Sequence, residues 1–230
     1  MFFVDDIILI YRKDNEQKVN QFKDEFMKHF PMRDMGELKW FLGLRIIRDR
    51  TQRKLWMCQD SYINKIANRF HLADIKTPAT PMAIAKAEKN EAQASPQRIL
   101  EYQQKVGSAL FATVITRPDA ARTASKLSEY NQNPSEDHLA SINRLLQYLY
   151  ATLYLAIEFG PQEDSKIFMA ASDTAFGDYE DRKSSEGFLI QLFGGPIDWK
   201  ASKQKTVSTS TTEAELLSIS HAAREVLWWN

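Results

Sequence analysis

The sequence has little of what disulfide-bonded, metal-binding or membrane-spanning proteins require. Its 230 residues include one cysteine, Cys58, so no internal disulfide is possible, which fits an intracellular location, cytoplasmic or nuclear. The four histidines are isolated and lack metal-ligand spacing. No apolar run approaches the roughly 18 residues of a membrane span, so we expect no membrane partner. No basic segment precedes the apolar N-terminus, which therefore does not predict a signal peptide.

The chain also lacks an excess of either charge. Thirty basic residues balance thirty acidic ones, so any electrostatic binding of nucleic acid has to come from local patches. A hydrophobic content of 43% and a charged content of 26% are ordinary for a soluble globular protein. The length allows one large domain or two small ones.

Two adjacent carboxylates, Asp5 and Asp6, lie between two short apolar runs near the N-terminus. The runs predict buried strands, and the acidic pair predicts a tight hairpin turn between them. Such a turn can place its acids at the edge of a sheet, where they and substrate phosphates can hold Mg²⁺. A surface turn with solvated acids is the other interpretation, and the motif alone leaves both open.

Hydrophobic periodicity predicts the elements of the first half. Apolar residues spaced by three and four predict a helix over 15–30, which Pro31 ends. A hairpin is predicted from 41–47 to 55–57, and a second helix over 61–70. Residues 77–97 contain three prolines and little aliphatic bulk, which predicts a surface connection.

Four more helices are predicted, three in the middle of the chain and one at its end. The first follows a stripe of Leu100, Gln103, Val106, Leu110 and Val114. After Arg117-Pro118-Asp119 a helix runs to about Tyr130, and Ser135 is predicted to cap the one after it. The last helix covers 210–229, with a capping box from Ser210 to Glu213. Its apolar stripe consists of Leu216, Ile219, Ala223 and Leu227.

Strands are predicted before that last helix. The first covers 166–172 and ends at Asp173, and the second covers 187–193 after a polar turn. Residues 194–196 predict a turn, a third strand starts at Ile197, and 207–209 is predicted to continue the sheet.

Four blocks of sequence nearly span the chain. The first block is Phe-Val-Asp-Asp at 3–6, and the second is Met-Gly-Glu-Leu-Lys-Trp-Phe-Leu-Gly at 35–43. The third consists of Tyr-Gln-Gln-Lys-Val-Gly-Ser at 102–108, Thr-Arg-Pro-Asp at 116–119, Asn133-Pro134 and His138. The fourth consists of Ser172-Asp173, Asp-Arg-Lys-Ser at 181–184, Gly-Gly-Pro-Ile at 194–197, Trp199-Lys200 and Thr-Glu-Ala-Glu at 212–215. In order and spacing they resemble the C-terminal part of a copia-type retrotransposon polyprotein, from the end of its reverse transcriptase to the start of its ribonuclease H domain.

The resemblance implies an α+β fold with a partial polymerase palm hairpin and a helical thumb/connection region, followed by a truncated ribonuclease H-like mixed sheet with one helix. The expected regions are a palm remnant and hairpin over 1–80, a linker and the helical region over 81–160, and the nuclease-like part over 161–230. The strand that leads to Asp173 is then expected at a sheet edge. Exposed apolar edges favour self-association.

The resemblance also implies two catalytic metal sites that use Mg²⁺ or Mn²⁺. Asp5 and Asp6 would serve RNA-directed DNA polymerisation, and Asp173 and Glu215 would serve ribonuclease H. From the residues alone, Asp173 is equally a turn residue at a strand end, and Glu215 a solvated helix position.

Both sites are expected to be incomplete. The family's third polymerase acid lies on a strand upstream of this sequence, and Phe3 replaces the family's tyrosine. Ala175 stands where the family's nuclease has a second acid, and the remaining nuclease acids would follow the last helix. Because two-metal chemistry needs several converging carboxylates, we expect no polymerisation and little or no hybrid cleavage by this chain alone.

Five basic residues lie near the nuclease turns: Arg182, Lys183, Lys200, Lys203 and Lys205. They are either phosphate contacts to an RNA–DNA hybrid or RNA template, or a solvated turn face. A true basic patch gives binding that weakens steeply with salt. A second interpretation of the whole chain stays open at this point: a host protein derived from such an element, which binds nucleic acid or a partner without catalysis.

Overall fold

The chain folds as an α+β protein whose elements fall into two units, Met1–Phe41 and Leu42–Asn230. The computed structural model describes residues 2–4, 6–72, 77–83, 88–161 and 167–229. The α+β class expected from the resemblance is confirmed.

The N-terminal hairpin pairs β1 (Phe2–Phe3) with β2 (Asp6–Ile7) in antiparallel fashion, with Phe3 opposite Asp6. Val4 lies at the bend with a φ of 47°, and Asp5 lies outside the described residues. Asp6 is therefore the first residue of the second strand and not part of the bend. The prediction of a buried apolar run after it is wrong, because β2 ends at Ile7 and Ile10 is 88% exposed.

Helix α1 (Glu16–His29) confirms the predicted helix to within one residue at each end. It ends because Phe30, which precedes Pro31, is extended, with φ −127° and ψ 135°. The phenylalanines of its apolar stripe contact one another, with ring centroids 5.4 Å apart for Phe22–Phe26 and 4.8 Å apart for Phe26–Phe30. Strand β3 (Trp40–Phe41) is the last element of this unit.

The second unit contains an antiparallel sheet that includes β4 (Leu44–Asp49), β5 (Lys54–Cys58) and β6 (Ile157–Phe159). Strands β4 and β5 confirm the predicted hairpin. The Asp49 carboxylate accepts hydrogen bonds from two backbone N–H groups of the bend at 2.8 and 2.9 Å, which satisfies them at the reversal of the chain.

Four helices pack together in this unit: α2 (Asp60–Arg69), α3 (Pro96–Ile115), α4 (Ala121–Ser128) and α5 (Glu136–Ala151). All four confirm predicted helices. Helix α3 starts inside the predicted connection because the Ser95 hydroxyl caps it. Ser135 caps α5 as predicted, and His138 returns the bond, because its Nδ1 accepts the Ser135 N–H at 2.9 Å.

The buried face of α3 differs from the predicted stripe. Tyr102 and Val106 are buried with Ala109 and Ala112, whereas Leu100 is exposed and Val114 is 67% exposed. Helices α4 and α5 both pack on α3. Small side chains allow helices to approach closely, so the contact face is set by alanine and not by the largest aliphatic residues.

A second sheet follows, with strand order β7 (Phe168–Ala175), β8 (Ser185–Leu192) and β9 (Gly195–Lys203). Helix α6 (Thr211–Trp229) packs on β7 and β8. Strand β7 is an edge strand, as expected. Both described pairings are antiparallel, so the expected mixed sheet is wrong for the part of the sheet that the structure describes.

Three predicted boundaries in this region are wrong. Strand β7 continues past Asp173, because its pairing with β8 extends to Ala175 opposite Ser185. Gly195 belongs to β9 and not to a turn, because it pairs with Leu192 of β8. A Cβ at this position would lie 2.5 Å from Cδ1 of Phe159 in β6. Residues 207–209 form no strand, because the chain leaves the sheet after Lys203.

The predicted apolar stripe on α6 faces solvent and not the sheet. Leu216, Ile219 and Ala223 are exposed, and Leu227 is 72% exposed. The buried residues of the helix are small: Ala214, Ser218 and Ala222. Their spacing of four residues forms the face that lies against the sheet.

Candidate nucleic-acid and metal site

The junction of α6 with β7 brings two of the predicted acids into one region. The Ser218 hydroxyl donates to the backbone carbonyl of Asp173 at 3.2 Å and to that of Gly187 at 3.3 Å. The Thr174 hydroxyl lies 3.4 Å from the carbonyl of Ala214. Glu215 lies between these two helix contacts and is half-buried, whereas Asp173 is exposed.

The start of α6 is positioned by its own cap. The Ser210 hydroxyl accepts the N–H of Glu213 at 3.1 Å, as the capping box predicts. The Glu213 carboxylate accepts the backbone N–H and the hydroxyl of Thr209, both at 2.7 Å, and not a bond from Ser210. These bonds lower the pKa of Glu213, with the Thr209 backbone contributing most. The interpretation of Glu213 as a cap residue is confirmed, with Thr209 as its partner.

Side chains that touch α6 define one face of the sheet, which we call the α6 face. Thr174 reaches α6 from β7, Glu186 pairs with His221 at 2.6 Å, and the Trp229 indole donates to Asp198 at 3.3 Å. Side chains alternate along a strand, and in the register Thr174 is paired with Glu186. Asp173, next to Thr174, therefore belongs to the opposite face, which we call the Asp173 face.

The helices α3 and α4 cover part of the Asp173 face. The Trp199 indole, on this face of β9, donates to the carbonyl of Thr113 in α3 at 2.7 Å, and α4 packs on β9. Asp173 lies on the edge strand, two strands away from β9, and stays exposed. The exposed part of the Asp173 face therefore lies beside helices α3 and α4 and extends to the edge strand β7.

Asp173 lies on the face of β7 opposite to α6, whereas Glu215 lies on α6 itself. A cation that both carboxylates bind would lie at this edge, accessible to a substrate phosphate. Mg²⁺ is commonly bound by one or two carboxylates plus substrate phosphates, so this donor pair fits it. Among the described residues, no three or more His, Cys, Asp or Glu side chains lie together in a way that could hold a metal ion.

The five predicted basic residues separate in the structure. Lys203, paired with Ser185, lies on the Asp173 face, whereas Lys200, paired with Phe188, lies on the α6 face. Lys183 precedes β8, and Lys205 follows β9 and is exposed. Arg182 lies in the turn with a φ of 63°.

Both Lys183 and Lys203 pair with a residue that sequence reasoning missed. The Asp181 carboxylate is 2.9 Å from Nζ of Lys203 and 3.7 Å from Nζ of Lys183. The hydrogen bond from Lys203 is the main reason that the pKa of Asp181 is lowered. The adjacency of the acid to Arg182 and Lys183 is a local signal of such pairing, but Lys203 is brought in by the register of β8 and β9.

The N-terminal acids are only partly described. Asp6 is exposed on β2, and Asp5 lies outside the described residues. Asp6 lies on the second strand of the hairpin and not in the bend that the sequence predicts for it. None of the helices in the described part of the chain is long and apolar enough to cross a membrane.

The chain is similar to a known protein family and to several transposon proteins. A family model described as reverse transcriptase (RNA-dependent DNA polymerase) matches residues 1–84. The chain is 32% identical over 234 residues to the retrovirus-related Pol polyprotein from transposon TNT 1-94 of Nicotiana tabacum, a match that covers 99% of this chain and 17% of that protein. The chain is also 31% identical over 229 residues to the retrovirus-related Pol polyprotein from transposon RE1 of Arabidopsis thaliana, a match that covers 99% of this chain and 15% of that protein.

A shorter relative is matched over most of its own length. The chain is 30% identical over 227 residues to a transposon Ty5-1 protein of Saccharomyces cerevisiae, a match that covers 97% of this chain and 72% of that protein. No solved structure matches the chain. The chain spans about a sixth of the length of the two plant polyproteins. Its four sequence blocks and its similarity to these transposon proteins show that the chain belongs to the family of copia-type retrotransposon Pol polyproteins.

Proposed function

We propose that the second unit binds RNA–DNA hybrid along the Asp173 face and contributes Asp173 and Glu215 to ribonuclease H chemistry in a copia-type Pol protein. The observation that carries the proposal is the packing of α6 on the edge strand β7, where Ser218 bonds to the carbonyl of Asp173 at 3.2 Å. In this proposal Glu215 of the helix and Asp173 of the strand act together at the edge of β7.

A divalent cation at this edge would supply part of the two-metal stabilisation that hydrolysis of the RNA strand requires. Asp173 and Glu215 would hold it, and a phosphate of the hybrid would complete its coordination. Lys203, on the same face as Asp173, would bind a phosphate further along the strand. Its Cα is about 12 Å from that of Asp173, given two strand spacings and two residue steps.

We further propose that the β1–β2 hairpin is the polymerase palm hairpin, with Asp5 and Asp6 as its metal ligands. The family match over residues 1–84 supports this assignment. In this proposal the palm part covers 1–80, the linker and the thumb or connection helices cover 81–160, and the nuclease-like part covers 161–230. These bounds mark regions of the family and not separate folding units, because the elements from residue 42 onward pack as one unit. RNA-directed DNA synthesis is then the activity to which the first region contributes.

Hybrid binding tests the proposal directly. Fluorescence anisotropy with a labelled RNA–DNA hybrid is expected to give an affinity that falls steeply with salt, and Lys203→Gln is expected to weaken it. Lys65→Gln removes the same charge from the exposed side of α2 and serves as the control. Equal losses in both variants, or binding that does not depend on salt, would exclude the Asp173 face as the interface.

The acids are tested separately from the lysines. Electron paramagnetic resonance of Mn²⁺ with the hybrid present is expected to show a bound ion that Asp173→Asn and Glu215→Gln each weaken. Asp198→Asn, on the α6 face, is the matched control. Any cleavage of the hybrid, followed on denaturing gels, should be lost in the first two variants only. A bound-ion signal that is unchanged in Asp173→Asn would contradict the role of this acid.

A further inference from the structure

The segment 178–181 contains three acids, each of which forms an ion pair with at least one nearby basic residue. Asp178 pairs with Arg122 of α4 at 3.1 Å, and Glu180 pairs with Lys89 at 3.2 Å. Asp181 lies between Lys183 and Lys203, at 3.7 and 2.9 Å. These pairs place negative charge where the basic groups of the helices and of the Asp173 face converge.

The ring of Tyr179, in the middle of this segment, adds to the same arrangement. The ammonium of Lys203 is 4.3 Å from the centre of the ring, and that of Lys126 is 5.5 Å from it. Cations at such distances are attracted to the face of an aromatic ring. Lys126 of α4 and Lys203 of β9 are therefore held near each other from two different elements.

Besides the bond from the N–H of Lys183 to the Asp181 side chain, which asparagine can also accept, other hydrogen bonds close the turn. The N–H of Arg182 donates to the carbonyl of Tyr179 at 3.0 Å, and the N–H of Tyr179 donates to that of Lys183 at 3.2 Å. The Asp178 carboxylate accepts the N–H and the hydroxyl of Ser185 at 2.8 and 2.9 Å. Because these bonds close the turn, a neutral residue at position 181 leaves the backbone in place.

The Asp181 pairs are also accessible to a competing anion. The side chains of Asp181, Lys183 and Lys203 are 46%, 31% and 29% exposed, so water screens the attraction between them. A lysine ammonium binds a carboxylate and a phosphate alike, as a compact positive charge. A polyanion with several phosphates releases counterions on binding, which a single carboxylate does not.

We propose that Asp181 is an internal substitute for a nucleic-acid phosphate: it occupies the site formed by Lys183 and Lys203, and a backbone phosphate of the hybrid displaces it. This inference rests on the proposed hybrid binding at the Asp173 face. Asp181 competes with the hybrid phosphate for Lys183 and Lys203. The affinity of the protein for hybrid is therefore lower than these lysines would give without Asp181.

The test compares two neutralised acids on the two faces of one sheet. Asp181→Asn removes the charge and keeps an acceptor for the N–H of Lys183. In hybrid binding by fluorescence anisotropy at low salt, it is expected to bind up to about fivefold more tightly than the unmodified chain, the upper end for one exposed ion pair. Its salt dependence is expected to be steeper, because in the unmodified chain added salt also weakens the competing Asp181 pairs. Asp198→Asn, with the same charge change on the α6 face, is expected to leave both values unchanged.

A double variant identifies the lysine that is released. In the background of Lys203→Gln, the added Asp181→Asn change is expected to give little further gain, because one of the two groups that Asp181 holds is already gone. Thermal unfolding of each variant shows whether it is folded. A full gain in the Lys203→Gln background would contradict the proposal.

The outcomes separate this inference from the proposed function. If the unmodified chain binds hybrid and Asp181→Asn binds no more tightly than Asp198→Asn, Asp181 is no competitor and hybrid binding stands. If Asp181→Asn binds hybrid measurably and the unmodified chain does not, the competition by Asp181 is confirmed and is strong enough to prevent detectable binding. If no variant binds hybrid, the proposed function fails and the inference fails with it.

Discussion

Arg117 forms two parallel hydrogen bonds with Asp119, 2.9 Å from Nε to Oδ1 and 2.7 Å from Nη2 to Oδ2, while only 1% of Arg117 is exposed. The same guanidinium donates to the carbonyl and the hydroxyl of Thr152, at 3.2 and 2.7 Å. The Tyr148 hydroxyl donates to Asp119 at 2.8 Å. The Thr-Arg-Pro-Asp block at 116–119 thus joins the end of α3 to the end of α5.

Replacing this arginine by lysine is expected to destabilise the protein. A lysine carries the charge but lacks the planar fork that bonds Asp119 and Thr152 together. We expect Arg117→Lys to lower the free energy of unfolding by about 2–4 kcal/mol, measured by urea denaturation. Arg98→Lys, in an exposed pair with Glu136, is the control and should cost less than about 0.5 kcal/mol. Equal costs would show that burial of the fork contributes nothing.

Asp119 gives a prediction for acid conditions. Burial acts to raise the pKa of its carboxyl, but the hydrogen bonds from Arg117 and Tyr148 outweigh burial and hold the pKa below its usual 3.8. A carboxyl whose folded pKa is lowered contributes stability above the unfolded pKa and loses it as the pH falls toward the folded value. Asp119→Asn is therefore expected to be less stable than the unmodified chain at about pH 7, and the gap should narrow as the pH falls below the usual 3.8 of a free carboxyl. A gap that is constant with pH would contradict this account.

His138 should make the protein sensitive to mild acid. It is fully buried and its ring stacks on Tyr130, with centroids 3.7 Å apart. Burial lowers the pKa of its imidazole below the usual 6.5. The unfolded chain then takes up a proton that the folded chain resists, so stability is present above about pH 6.5 and is lost as the pH falls below it.

The matched variant for this test is His138→Gln, since glutamine at the same helix position can also close a capping box but does not titrate. Unfolding free energies measured from about pH 7.5 to about pH 5 should fall more steeply for the unmodified chain than for this variant. Parallel pH profiles would assign the acid sensitivity to other groups.

Gly195 is expected to be sterically required. A Cβ at this position would lie 2.5 Å from Cδ1 of Phe159 and 2.6 Å from the carbonyl oxygen of Glu158. Gly195→Ala should therefore push β9 away from β6 and cost about 1–3 kcal/mol of unfolding free energy. Gly107→Ala, in α3 with no atom within 4 Å of the added carbon, should instead stabilise the protein by up to about 1 kcal/mol. The reverse order of the two would refute the close approach of β6 and β9.

Self-association through the edge of β7 remains a prediction. This strand is at the edge of its sheet, and both Ile167 and Met169 are exposed there. A lysine on an edge strand opposes pairing with another chain. Sedimentation over a range of concentrations should show association of the unmodified chain that Met169→Lys reduces. If Leu216→Lys, on the exposed stripe of α6, abolishes it and Met169→Lys does not, the helix and not the edge makes the contact.

The helices were largely determined by the sequence itself. The period of their apolar residues and the proline after Phe30 act over a few residues, so α1 and α2 begin and end within one residue of the prediction. Ser135 likewise caps α5 as predicted. The four sequence blocks likewise indicated the copia-type family and the two acids of the α6–β7 junction, because the order and spacing of residues suffice to identify such motifs.

Only the tertiary structure decided which faces are buried and which residues meet. Helix α3 is buried along Tyr102, Val106, Ala109 and Ala112, and Val114 is left in solvent. Helix α6 is buried along alanine and serine, because close approach to the sheet selects small side chains, and the larger Leu227 is left in solvent. Local patterns cannot report that approach. The strand register separated Lys200 from Lys203 and brought Asp181 to the latter, because pairing between β8 and β9 joins residues that are distant in the sequence.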